Sequence, residues 1–319
     1  MQYRQFGKLD WKVSSLGFGA MRLPTFGNEM MSPVNEPEAI KMIRYAIDHG
    51  INYVDTGYSY HGGNSEKVLG KALQDGYREK IRLATKLPIN TIQNPEEFER
   101  IFNEQLERLQ TDKINYYLLH GINKNSWQKA KSWKAIPWAE SKMAAGKIDY
   151  LGFSFHDDFE IFKEIIDYYG KWTFCQIQYN YMDVNNQAGR KGVEYAAAKG
   201  LAIVVMEPLR GGTLTKIPPE KVARIWESAA QKRSLAERGL LWVWNQPEIS
   251  VVLSGMSTME QVKENLAIAD RSVPGNLNVQ ELALYDRVTK AYESFNPIPC
   301  TKCRYCAPCP RQVCSYTPF

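Results

Sequence analysis

Short runs of β-branched, aromatic and aliphatic residues recur along the chain, each followed by a longer stretch with the apolar spacing of a helix. The runs are Ser15 to Gly19, Ile51 to Asp55, Ile81 to Lys86, Ile114 to His120, Tyr150 to Phe155, Phe174 to Tyr179, Leu201 to Met206 and Ile249 to Ser254. Several are apolar at nearly every position, as parallel strands are when helices cover them outside and side chains pack within. Strand-helix alternation sustained over eight such runs predicts an α/β fold, a closed (β/α)8 TIM barrel, with a doubly wound open sheet as the alternative.

The punctuation agrees with this pattern. Asn94-Pro95-Glu96-Glu97 opens a helical stretch that runs to Leu109, and Gly50, Gly146 and Gly200 close others. Met1 to Val13 reads as an N-terminal β-hairpin turning near Gly7 to Asp10, placed to plug the N-terminal end of the barrel. Val279 to Phe295 is helical in pattern, and Asn296-Pro297-Ile298-Pro299 ends it. The expected division is a barrel over residues 1–295 and a short Cys-rich tail over 296–319.

Composition narrows the function classes. With 44% hydrophobic and 24% charged residues among 319, the chain can bury a large core without disulfides. A net charge of +5, with Lys and Arg interspersed among Asp and Glu, argues against a nucleic-acid partner and suits a local field for an anionic cofactor. The polar N-terminus and the lack of an apolar run of membrane-spanning length argue against a membrane segment, so a cytoplasmic location is expected. Five of the six cysteines fall between positions 300 and 314, leaving Cys175 in the body. That crowding favours a local metal or cluster site over a disulfide framework.

Polar residues that end a strand's apolar run belong on the C-terminal rim of a barrel, where sites are built in this architecture. Asp55, Lys86 and His120 end three successive runs, and Tyr60 follows Asp55 in the first loop. An unperturbed phenol has a pKa near 10, so a neighbouring ammonium is expected to favour its ionisation. Asp55 would hold Lys86 charged and oriented, and a neutral His120 would direct a substrate oxygen. Singly, each is as readily a structural ion pair or a satisfied core histidine; converging, they make a site. His61 adjoins Tyr60 as a loop residue, and His49 at a helix end is read as structural.

The segment Asp55-Thr56-Gly57-Tyr58-Ser59-Tyr60-His61-Gly62-Gly63-Asn64-Ser65-Glu66-Lys67-Val68-Leu69-Gly70 resembles the signature of the aldo-keto reductases. Ala84-Thr85-Lys86 resembles that family's lysine motif, and Leu106 to Leu109 through Asp112 to Leu119-His120 its histidine motif. The resemblance covers residues 1 to about 295. It implies a catalytic tetrad of Asp55, Tyr60, Lys86 and His120 and a bound NADPH or NADH. Ser154, in Gly152-Phe153-Ser154, and Gln176 would meet the nicotinamide amide, with Phe155 and His156 where the family often has Asn. Met206 stands where many members stack an aromatic ring. Pro208, Leu209, Arg210 and Gly211 resemble a pyrophosphate-covering loop. Gly255, Ser257, Gln261, Glu264 and Asn265 resemble an adenosine site, and Gly19, Ala20, Met21 and Arg22 the strand-one loop beside the nicotinamide. NADPH is the expected better donor, through Arg210 or Lys263.

The tail run Cys300-x-x-Cys303-x-x-Cys306-x-x-Cys309-Pro310 has the spacing of thiolates around one iron-sulfur cube. It resembles the opening of the ferredoxin-like extension in a subgroup of the same family. Ending at Phe319 without a second run, it is expected to hold at most one 4Fe-4S cluster, with Cys309 or Cys314 as fourth ligand. A disordered, reduced tail is the alternative.

The expected activity is reduction of an aldehyde, ketone or quinone carbonyl by an NAD(P)H-dependent oxidoreductase, with an electron-transfer partner conceivable for the tail. A cofactor-sensing regulatory or redox-partner subunit is the alternative on the same fold. A hydrolytic metal barrel using His120, His156 and Asp55 is disfavoured by the charge of Lys86. Tyr58, Phe155 and Tyr181, near the expected loops, suggest an apolar or ring-containing substrate.

Overall fold

The computed structural model describes residues 1–27 and 32–295; the tail and its cysteines lie outside the described residues. Strands β1 (Tyr3–Gln5) and β2 (Lys12–Ser14) form an antiparallel hairpin. Strands β3 (Leu16–Gly19), β4 (Tyr53–Asp55), β5 (Arg82–Leu87), β6 (Ile114–Ile122), β7 (Ile148–Phe155), β8 (Phe174–Gln178), β9 (Ala202–Met206) and β10 (Ile249–Ser254) pair in parallel in chain order, and β10 returns to β3 to close the barrel. The expected TIM barrel and N-terminal hairpin are both present.

Outside the strands lie α1 (Glu36–Asp48), α2 (Asn64–Ala72), α3 (Glu97–Leu109), α4 (Lys124–Ser132), α5 (Ala135–Ala144), α6 (Phe159–Tyr168), α7 (Gly189–Ala198), α8 (Glu220–Glu227), α9 (Leu235–Trp244), α10 (Met259–Ala269) and α11 (Val279–Glu293). Side chains begin several of them: Asn35, Asn123, Asp158, Ser234, Thr258 and Asn278 each accept a backbone N–H of the first turn. Such caps satisfy donors that the helix itself leaves free.

Successive strand residues face opposite sides of the wall, and this divides the core in two. The inner set is Tyr53, Ala84, Tyr116, Leu118, Phe174, Ala202, Val204, Val251 and Leu253, joined from the hairpin by Phe6 and Val13. Phe6 lies 4.6 Å from the Tyr116 ring and 5.6 Å from Phe174, so it fills the barrel floor. Arg4 staples the hairpin in place by donating to the carbonyls of Trp244, Gln246, Ile249 and Ser272. Two residues beyond the inner layer, the same alternation brings Asp55, Lys86, His120 and Gln176 inward at the other end.

Candidate active site

Lys86, 1% exposed, donates to Asp55 Oδ1 at 2.6 Å and to the Thr56 carbonyl. Burial works against its charge, but Asp55 and Tyr60 outweigh it and raise the ammonium's pKa. Burial also raises Asp55, with Lys86 and Gln176 opposing. The ammonium sits 4.9 Å from the centre of the Tyr60 ring. The His120 ring meets the Tyr60 ring edge-on, with centroids 5.7 Å apart. The structure thus brings all four expected residues together.

The ammonium does lower the Tyr60 pKa, but burial is the larger effect and leaves the phenol above its ordinary value. Tyr60 therefore stands protonated at neutral pH, a form able to donate. His120 is pulled down to about 3 by burial, with Lys86 and His156 adding repulsion, so its imidazole is neutral. His61, half-buried, is also lowered by burial.

Ser154 and Gln176 are register neighbours on β7 and β8. The Ser154 oxygen accepts from the Gly121 N–H at 2.8 Å, which leaves its hydroxyl proton to donate. Gln176 is 2% exposed, and its carbonyl oxygen has no hydrogen-bond partner among the described residues. A donor beside an orphaned acceptor fits the oxygen and amide nitrogen of a carboxamide such as that of nicotinamide. Met206, half-buried, follows on the inner face of β9.

The loops carry the remaining expected residues. Arg22 is stretched between two of them: a Cβ at Gly255 would meet its side chain at 3.1 Å, and one at Gly211 would lie 3.4 Å from its Nη2. Glycine at both places leaves the chain open beside a cation that forms no ion pair among the described residues. Ser257 Oγ donates to the Arg22 carbonyl at 2.9 Å, and Gln261 Oε1 accepts from Ser257 N at 2.8 Å. Met21 is 57% exposed on the same rim, while the Ala20 carbonyl accepts from Ser65. Gly19 faces the Ser254 backbone, Pro208 is buried, and Leu209 packs against Gly239.

Like Ser257 and Gln261, three further expected contact residues are engaged by the protein. Arg210 pairs with Asp183 at 3.2 Å, Glu264 accepts from Ser234 at 2.6 Å, and buried Asn265 donates to Ser254 at 3.0 Å. The three aromatics near the expected loops are engaged within the protein. Tyr58 donates to Glu104 at 2.8 Å. Phe155 is buried against Phe153 and Phe162, and Tyr181 packs among Trp226, Trp242 and Tyr285. Phe155 and Tyr181 belong to the larger buried core cluster, and Tyr58 packs against it.

His49 stacks on Tyr45 at 3.9 Å, in keeping with a structural role. Lys86 occupies the carboxylate that the metal-barrel alternative would need. Sequence reading missed a buried polar cluster behind the site, Glu66, Thr85, Gln105 and Arg108. For Glu66, Gln105 and Arg108 the signal was a charge or amide on the core-facing stripe of a helix; Thr85, on β5, gave none.

The aldo/keto reductase family matches residues 15–276. An L-galactose dehydrogenase from Arabidopsis thaliana is 30% identical over 285 residues, covering 84% of this chain and 88% of the relative. The holo form of an aldo-keto reductase from Bacillus halodurans superposes with a TM-score of 0.73 at 28% identity, over 90% of this chain and 96% of that one. An aldo-keto reductase from Klebsiella pneumoniae in complex with NADPH shares the fold, with a TM-score of 0.69 at 23% identity over 90% and 95% of the two chains. The chain belongs to the aldo/keto reductase family of NAD(P)H-dependent oxidoreductases.

Proposed function

We propose that the chain reduces an aldehyde, ketone or quinone carbonyl with NADPH as the preferred donor and Tyr60 as the general acid. The observation that carries this reading is the buried Lys86–Asp55 pair at 2.6 Å beneath a protonated Tyr60 and beside a neutral His120. The bound nicotinamide would supply the hydride. Tyr60 then gives its Oη proton to the oxygen that gains negative charge, and Lys86 offsets the charge left on the phenol. His120, being neutral, has a ring N–H to donate to the substrate oxygen without competing as an acid. Asp55 keeps the ammonium fixed.

Ser154 and Gln176 would hold the carboxamide, with Met206 against the ring. Arg22, Gly211 and Gly255 would flank the phosphates, and Ser257 and Gln261 the adenosine end. These functions fall within the barrel unit, residues 1–295. For the tail unit, residues 296–319, we read the cysteine spacing as a site for at most one 4Fe-4S cluster, which an electron-transfer partner could address. The cytoplasm is the compartment where reduced thiols and NADPH coexist. Among the described residues no helix is long and apolar enough to cross a membrane.

The test is consumption of NADPH and of NADH against aldehydes, ketones, quinones and, given the L-galactose dehydrogenase relative, aldoses. Cofactor binding without turnover of any carbonyl would favour a cofactor-sensing subunit instead.

A further inference from the structure

Glu66 is fully buried on α2, and each of its oxygens is used. Oε1 accepts from Thr85 Oγ1 at 2.7 Å and from Gln105 Nε2 at 2.8 Å; Oε2 accepts from Arg108 at 3.3 Å. Every partner is a donor, as suits a carboxylate, and Thr85, Gln105 and Arg108 oppose the burial that raises its pKa. Gln105 also donates to the Lys86 carbonyl at 3.0 Å and accepts from Tyr117 at 2.7 Å. Glu66 is thereby tied to the strand segment that carries Lys86.

Arg108 faces the other way, towards the turn that carries Tyr60. It donates to the Tyr58 carbonyl at 3.1 Å and lies 4.4 Å over the Tyr58 ring. Its guanidinium also underlies Gly63, where a Cβ would meet Nη1 at 2.8 Å. With φ at 88°, Gly63 sits in a left-handed conformation that suits glycine. The residues two before and three after Tyr60 thus both rest on one guanidinium. Glu104 holds that guanidinium from the solvent side and accepts from the Tyr58 hydroxyl at 2.8 Å.

We infer that Arg108, braced by Glu66, is a positioning residue that sets the distance between the Tyr60 phenol and the Lys86 ammonium. The chain of contacts is continuous: Tyr60 turn, Arg108, Glu66, Gln105, Lys86 backbone. A planar guanidinium is required because it must serve a carbonyl, two carboxylates and a ring face at once. The inference rests on Tyr60 being the acid.

The test is a double-mutant cycle on the full chain, combining Arg108→Met with Tyr60→Phe and measuring kcat, KM and the Kd of NADPH. Misplacement of about an ångström costs on the order of a hundredfold in rate. Arg108→Met is therefore expected to lower kcat at least tenfold, with the NADPH Kd within about threefold. In the Tyr60→Phe background the same change should have almost no further effect, because the group it positions is gone. Losses that multiply across the two backgrounds would overturn the inference. Loss in Tyr60→Phe with full activity in Arg108→Met would also overturn it. Full activity in Tyr60→Phe would sink the reading of Tyr60 as acid instead. Arg108→Lys, which keeps the charge but not the fork, provides the same comparison if the Met variant does not fold. It should likewise keep the NADPH Kd and lower kcat, because the charge is kept but the fork is lost.

Discussion

Lys86 Nζ stands 4.9 Å from the centre of the Tyr60 ring while it donates to Asp55 at 2.6 Å. The ammonium is anchored from below and offered to the phenol above. Removing it acts on both neighbours: Asp55 loses its partner in a buried place, and Tyr60 loses the group that opposes burial. Lys86→Met should therefore raise the Tyr60 pKa further and weaken it as an acid. The expected outcome is a loss of about 10²- to 10⁴-fold in kcat/KM, with the alkaline limb of the pH profile moved to higher pH. An unmoved limb would refute the pairing.

Tyr60→Phe deletes the proton donor and little else, since the ring keeps its packing against His120. Carbonyl reduction should fall by at least about a hundredfold, while NADPH affinity measured by fluorescence titration stays within a few-fold. Near-normal turnover in that variant would end the assignment.

The neutral His120 makes an expectation for stability. Its folded pKa of about 3 lies below the ordinary value for histidine, so between the two the unfolded chain binds a proton that the folded chain does not. Stability should fall as pH drops from about 6.5 towards 3, and be unaffected by this group above that window. Urea midpoints at pH 7 and pH 4.5 measure it, and His120→Gln should reduce the difference. Equal differences in the two proteins would show that His120 is not held neutral.

Cofactor choice turns on the cations near the loops. Arg22 lies between Gly211 and Gly255 without an ion pair among the described residues, whereas Arg210 is held by Asp183. Arg22→Ala should weaken NADPH and NADH about equally, by about tenfold, as loss of a charge-assisted contact to a shared phosphate would. Lys263, 5.8 Å over the Tyr45 ring, is the candidate for the 2′-phosphate, and Lys263→Ala should weaken NADPH alone. Tighter binding of NADH than NADPH by the unaltered protein would overturn the preference.

A chain ending at Asn296 should keep NADPH-linked activity, because Tyr60, Lys86, His120 and Asp55 all belong to the barrel and hydride transfer needs no one-electron relay. Full-length protein reconstituted with iron and sulfide without air should carry no more than about four irons. A folded truncation without activity would give the tail a part in the reaction.

Much of the barrel was legible because its signal repeats: each strand is a short apolar run, and the polar residue ending it falls where the wall stops. Asp55, Lys86 and His120 could be read that way before any side chain was placed. The failures have the opposite character. Ser154 and Phe155 are adjacent on one strand, so only one can face the mouth; placing Phe155 near the site left that parity unused. Tyr181 is in a loop, where no period says which way a ring turns. Glu66 and Gln105 were overlooked because a buried charge or amide on a helix becomes visible only when its partners from other elements are known. The raised pKa of Tyr60 likewise depends on how much of the phenol is covered, which spacing alone does not reveal.

The hairpin floor has a kinetic consequence. With Phe6 set among Tyr53, Tyr116 and Phe174, and Arg4 fastening it to four carbonyls, the barrel is a blind well. Whatever reaches Tyr60 would enter and leave at the end opposite the hairpin, where the strands finish. Substrate and product would then share one opening, so that a product must clear it before the next substrate can enter.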